Sequence, residues 1–173
     1  GATAVVRVGE DPVALASSMA DPAFRATVTQ AVRTTPVVFA DGSMTAVLGE
    51  RWSAKARPTS NTLEAEGVAA YRADDAAWQD GLALVPATVV PHLTDDFRWG
   101  RLYAGVAAAP ADLALGVASG AAMVLSPAGA SVSGASVVVA DGSGASSWVS
   151  ANGAFGASGV VLDVFGSGDQ LAR

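Results

Sequence analysis

The sequence contains no cysteine. Disulfides, thiolate nucleophiles and cysteine-ligated zinc are therefore excluded. It contains one histidine, His92, so a histidine-based metal cluster is excluded and any metal would depend on oxygen ligands. No metal or other cofactor is expected. Basic residues are scarce, with ten Lys and Arg against sixteen Asp and Glu, and the net charge is −6. Phosphate contacts need a concentrated positive surface, so a nucleic-acid partner is not expected. No apolar run reaches the length needed to span a membrane, and no membrane role is expected. The opening, GATAVVRVGEDP, lacks a basic segment followed by an apolar stretch, so it does not read as a signal peptide. Cytoplasm is then the default expectation.

What remains is a chain that is 51% apolar and only 15% charged, the reverse of a disordered composition. Its 173 residues suit a single domain over 1–173 with a sizeable core. The chain begins almost directly in a strand, and upstream elements are expected to be missing. Residues 4–8 read as a short strand. Asp11-Pro12 and Asp21-Pro22 are two helix starts, each pairing a capping carboxylate with a proline suited to the first turn. Leu15 and Met19 could face the core. Phe24, Val28 and Val32 repeat every four residues, leaving Arg25 and Arg33 free for solvent. Pro36 ends that helix, and Val37, Val38 and Phe39 form a buried-strand candidate. Residues 44–52 read as a helix.

Residues 51–66 form a polar connector, and 67–80 read as a short alanine-rich helix. Residues 82–90 return to strand character. A helix opened by Thr94 or Asp95 runs past Arg98 and Arg101 until Pro110 disfavours it. Apolar runs follow at 113–117 and 121–125. From 129 to 162, short valine-rich runs are divided by glycine and serine, and Asp141-Gly142 is a tight-turn pair. The expected fold class is α/β: a mostly parallel sheet flanked by helices, with a small antiparallel C-terminal region.

Candidate chemistry concentrates at four residues. Ser43 follows a strand and precedes a helix, the context of a nucleophile elbow; Asp-Gly-Ser is equally an ordinary turn that caps a helix. Asp41 and Thr45 stand where an elbow has its flanking glycines. His92 is the only histidine base available, at the end of an apolar run where α/β sheets place ligand-facing loops. A hydrogen-bonded structural histidine fits as well. Arg98 and Arg101 are three apart on one helical face and could hold a carboxylate. They could equally pair with Asp95, Asp96 or Asp112. Gly100 between them points to a close packing contact. No acid stands at Ala118-Ser119-Gly120 to orient the histidine. Trp52, Trp78, Trp99 and Trp148 are scattered, which suits packing better than a stacking platform.

Several stretches, in order, resemble the cyanophycinase-like serine peptidases. DGLALVPATVVPHLTDDFRWGRL resembles the strand, His-Phe and arginine-containing helix of that family. VRVGEDPVALASSM resembles its Gly-Gly-Asn/Asp-Gln loop, and VVFADGSMTAVLGE its Gly-Thr-Ser-Ala-Gly-Ala elbow. LALGVASGAAMVL resembles its Gly-Ile-Asp-Glu segment, and VVLDVFGSGDQL its closing strand. The resemblance implies a class I glutamine-amidotransferase-like α/β sandwich in which a Ser-His-acid site cleaves peptide or isopeptide bonds beside acidic residues. It makes Ser43 the nucleophile and His92 the base, with Arg98 and Arg101 as substrate-binding arginines for an acidic or peptide-like ligand. Three positions depart from the pattern: Asp41 and Thr45 replace the elbow glycines, Ala118 and Ser119 replace the acidic pair, and Asp96 replaces the arginine four after the histidine. On this resemblance the family's opening elements are also expected to be missing. These departures fall on chemistry, so the expectation is a non-peptidase or severely weakened homologue with a binding or assembly role. An active serine hydrolase using Ser43 and His92 is the alternative. A homo-oligomer or a complementing chain is expected, because a sheet lacking its opening elements exposes an edge.

Overall fold

The computed structural model describes residues 3–109 and 113–171. Pro110 and Asp112, which the sequence nominates as helix stop and arginine partner, lie outside them. Strand β1 (Ala4–Gly9) leads into α1 (Pro12–Met19). The Asp11 carboxylate accepts from the amides of Val13 and Ala14, both at 3.0 Å, and Leu15 and Met19 are buried. Helix α2 (Pro22–Thr34) starts the same way on Asp21 and buries Val32. Arg25 and Arg33 do not point freely into solvent. They donate to the carbonyls of Asp80, Gly81 and Leu82, tying α2 to the segment before the central strand. Strand β2 (Val37–Gly42) pairs in parallel with β1, from Ala4 opposite Val37 to Gly9 opposite Gly42. Only one face of it is covered, because Val37 and Phe39 are each more than half exposed.

The helix expected over 44–52 is instead a 3-10 helix, Ser43–Leu48, followed by strand β3 (Gly49–Ser53). A Cβ at Gly49 would stand 2.5 Å from the Ala87 carbonyl oxygen, so the chain lies against its neighbour strand too closely for a helix. Trp52 is fully buried there and donates Nε1–H to the Asp80 carbonyl at 3.3 Å. Helix α3 (Leu63–Ala69) begins inside the expected connector, and strand β4 (Trp78–Asp80) occupies the end of the helix expected over 67–80. Strand β5 (Val85–Pro91), helix α4 (Trp99–Ala108) and strand β6 (Leu113–Val117) follow. Helix α4 starts after Arg98, with no side-chain cap from Thr94 or Asp95.

The C-terminal part contributes β7 (Ala121–Ser126), β8 (Gly129–Gly134), β9 (Val137–Asp141), β10 (Ser146–Val149), β11 (Phe155–Ser158), β12 (Val161–Phe165) and β13 (Gln170–Leu171). The main sheet has the order β12-β9-β6-β5-β3-β4. Only β3–β5 and β5–β6 are parallel within it; β3–β4, β6–β9 and β9–β12 are antiparallel. Smaller antiparallel sheets form from β7, β8 and β13 and from β10 and β11. The expected mostly parallel sheet flanked by helices is thus wrong: the protein is a mixed α and β structure with a mixed central sheet. Parallel returns are usually carried by a crossover helix; here the β7–β8 pair fills the connection from β6 to β9 and the β10–β11 pair fills that from β9 to β12, and both returns are antiparallel.

Three buried clusters hold these layers together. One packs α1 and α2 on the 3-10 helix around Val47 and Trp52. A second sets Leu102 and Val106 of α4 against Leu93, Val90, Ala114 and Val138. The third, around Leu115 and Val139, joins the other sheet face to Met123 and Leu171. Each fully buried side chain of this size contributes about 1.5–3 kcal/mol. No helix among the described residues is long and apolar enough to cross a membrane.

Candidate functional site

Four polar residues stand just beyond the C-terminal ends of parallel strands, where sheets of this kind present their ligand-facing loops. Glu10 follows β1, Ser43 follows β2, His92 follows β5, and Ser119 lies two residues beyond β6. Gly42 makes the turn into Ser43 with φ of +62°, and a Cβ there would strike both the Glu10 carboxylate and the Gly9 carbonyl oxygen. The positive φ therefore sits on the residue before the serine. Ser43 itself opens the 3-10 helix and is 2% exposed. Asp41 accepts from the Gly42 amide at 2.8 Å, and Thr45 Oγ1 donates to the Gly42 carbonyl at 2.9 Å. Asp41 and Thr45 thus brace the turn.

The structure brings Ser43 and His92 to one atom. His92 Nε2 lies 3.0 Å from Glu10 Oε2, and Ser43 Oγ lies 3.4 Å from the same oxygen and 3.4 Å from the Glu10 carbonyl. A carboxylate accepts, so Nε2 carries the hydrogen of that bond. The carboxylate therefore stands between hydroxyl and imidazole, whereas a hydrolytic triad puts the imidazole in the middle. On the other side of the ring, Nδ1 faces Ser119 Oγ at 3.4 Å. Ser119 also bonds Asp95, and this bond, with a smaller part from Thr94, holds the Asp95 carboxyl below its ordinary value. His92 has φ of +55°, an uncommon state for a residue with a side chain. Its carbonyl accepts from the Asp96 amide at 3.0 Å, closing the turn that precedes α4.

The two arginines nominated by the sequence lie behind this row, and both are buried. Arg98 Nη2 meets Asp96 Oδ2 at 3.2 Å. Arg57 approaches the same carboxylate with two hydrogen bonds, Nε to Oδ2 at 3.0 Å and Nη2 to Oδ1 at 3.1 Å, and reaches Glu10 Oε2 with Nη1 at 3.0 Å. Arg101 bonds Asp75 Oδ2 at 2.9 Å and Ser53 Oγ, while its Nε has no partner among the described residues. Lys55 pairs with Asp75 and with Glu66. Burial pulls the Arg98 guanidinium down to about 10, with Asp96 opposing the fall; it stays charged at neutral pH. Burial also lowers Arg101, again opposed by its carboxylate partner. The hydrogen bonds that Arg57 donates to Asp96 raise the Arg57 guanidinium. Four cations (Lys55, Arg57, Arg98, Arg101) thus face four carboxylates (Glu10, Glu66, Asp75, Asp96).

Between Ser43, Ser53, Arg98 and Arg101 is a cavity of about 10 Å³, room for roughly one water. Among the described residues, no group of three or more His, Asp or Glu side chains is placed to hold a metal ion. Sequence reasoning missed Glu10 and Arg57. A signal for Glu10 existed, because it directly follows Gly9 at the end of the first strand. Arg57 lies in the polar connector 51–66 with nothing local to mark it. The sequence matches no protein-family model and no curated protein.

Proposed function

We propose that the protein is a non-peptidase homologue of the cyanophycinase-like serine peptidases, its serine site filled from within by Glu10 and kept as a polar binding or assembly element. The observation that carries this reading is the shared contact of Ser43 Oγ and His92 Nε2 with Glu10 Oε2. A serine becomes nucleophilic when the imidazole takes its proton directly. Here a carboxylate intercepts the imidazole hydrogen bond and stands between the hydroxyl and the ring. Two further features support the reading. The His92 Nδ1 side is met by the neutral Ser119, and a hydroxyl stabilises an imidazolium less than a carboxylate does. Arg98 and Arg101 also already have carboxylate partners, so an acidic or peptide-like ligand would have to compete with Asp96 and Asp75.

One observation favours the alternative, an active serine hydrolase that cleaves a peptide or isopeptide bond near an acidic residue. The Glu10 side chain is 55% exposed and can swing out, and an acidic substrate group could then take its place beside Arg57. Reaction with a fluorophosphonate probe separates the two readings. The wild-type protein is expected to leave Ser43 unlabelled and aspartyl peptides intact. Stoichiometric labelling together with peptide hydrolysis, both lost in Ser43→Ala, would overturn the proposal. Labelling that emerges only in Glu10→Ala would identify Glu10 as the plug.

A further inference from the structure

Phe97 stands between Asp96 and Arg98, whose side chains are committed to ion pairs, and lines a separate cavity of about 610 Å³. This is the size range of sites that take small organic ligands. None of the residues around the Glu10–His92 contact lines it. Its walls come from α3, including Glu64 of its first turn, the residues just after it, the segment leading into α4 and the β10–β11 turn, with Tyr71, Phe97 and Trp99 as the aromatic surfaces. Those walls are fixed by close backbone approaches. A Cβ at Gly100 would stand 2.6 Å from the Ala70 carbonyl carbon, and one at Gly67 would stand 3.1 Å from the Phe97 Cβ. The Phe155 amide donates to the Tyr71 carbonyl at 2.7 Å, holding the far wall.

Two features mark the cavity as more than a packing defect. Phe97 has φ of +49°, an uncommon conformation for a bulky residue, and it leaves the ring half exposed on the cavity. Such outliers concentrate at ligand sites. Tyr71 and Val68 are also well exposed in the same wall. The second feature is charge. Glu64 and Arg72 both line the cavity, but Arg72 already meets Asp74 at 3.3 Å and the Asn152 carbonyl at 3.3 Å. Asp74 lies outside the lining but neutralises Arg72, so Glu64 is left as the unopposed charge of the wall.

Aromatic faces beside a carboxylate attract a poorly hydrated organic cation through the ring quadrupoles and the charge together. We propose that this cavity is a binding site for an amphipathic organic ammonium, with its apolar body among Tyr71, Phe97 and Trp99 and its charged head toward Glu64. Calorimetric titration with benzyltrimethylammonium, benzyl alcohol and benzoate tests it. The ammonium is expected to bind at least tenfold more tightly than the alcohol, and benzoate most weakly. Glu64→Gln should reduce the preference severalfold while leaving the melting temperature unchanged, and Phe97→Leu should weaken the ammonium and the alcohol together. Ser43→Ala should leave the ammonium affinity untouched, so this inference stands or falls apart from the serine site. Equal or tighter binding of the alcohol or benzoate would overturn it. So would a failure of all three probes to bind, or an ammonium affinity indifferent to Glu64→Gln.

Discussion

The guanidinium of Arg57 and the carboxylate of Asp96 meet edge to edge through two hydrogen bonds of 3.0 and 3.1 Å, although 39 residues separate them in the chain. Asp96 is 6% exposed and is also the partner of buried Arg98. Its position is the one where the family resemblance expects an arginine. A positive charge supplied from the connector shares the Glu10 carboxylate with His92.

Removing Asp96 strands a buried guanidinium, which typically costs about 3–5 kcal/mol. Asp96→Ala should destabilise by about that amount. Arg57→Ala should cost clearly less, because a third of the Arg57 side chain is exposed and water screens what is left. Urea unfolding of the two variants checks the order, and equal losses would contradict it.

Gly100→Ala sets two effects against each other. Alanine is worth about 1 kcal/mol over glycine inside a helix. The new methyl, however, would stand 2.6 Å from the Ala70 carbonyl carbon and 2.8 Å from the Tyr71 amide nitrogen. Backbone atoms cannot step aside as a flexible side chain can, and overpacking of this kind costs about 1–3 kcal/mol. The clash should win, lowering the denaturation midpoint with the slope unchanged.

Asp95 supplies a pH signature. Its bond to Ser119 holds the folded carboxyl below its ordinary 3.8. A lowered folded value means that the unfolded chain binds the proton more tightly. The stability from this contact is therefore fully present above pH 3.8 and is lost as the pH falls through the lower folded value. In Ser119→Ala the Asp95 titration midpoint should rise, and the acid limb of the stability curve should flatten. Carbon-detected NMR titration of the carboxyl reads this directly.

Ser43→Ala should be nearly neutral for stability. The hydroxyl is buried, but both of its acceptors, each at 3.4 Å, belong to Glu10, and Glu10 keeps stronger bonds to His92 and Arg57 at 3.0 Å. A change within about 1 kcal/mol by thermal unfolding is expected.

The parts of this molecule that could be read from sequence are those whose partners are near in the chain. Asp11 and Asp21 cap helices two and three residues away, so their pattern is local and legible. Leu15, Met19 and Val32 follow from helical spacing. Ser43 could be nominated because it stands between a strand and a helix, and His92 because it is the single histidine and ends an apolar run. Their relation could not, since it runs through Glu10, 33 and 82 residues away. The sheet direction was misread because the 113–162 stretch supplies strands without saying which neighbour each will join. A β7–β8 pair, rather than a helix, fills the connection from β6 to β9, and β9 returns antiparallel.

The backbone at position 92 ranks its possible occupants in a way that ordinary positions do not. In the left-handed region glycine is at ease and asparagine tolerable, while a β-branched residue is strongly disfavoured. A drift from histidine to glycine would erase the imidazole yet relax the main chain, so part of the loss in contacts would be offset. Loss of the ring to glycine is thus a comparatively gentle mutational step for this chain, and its replacement by valine or isoleucine would be a steep one.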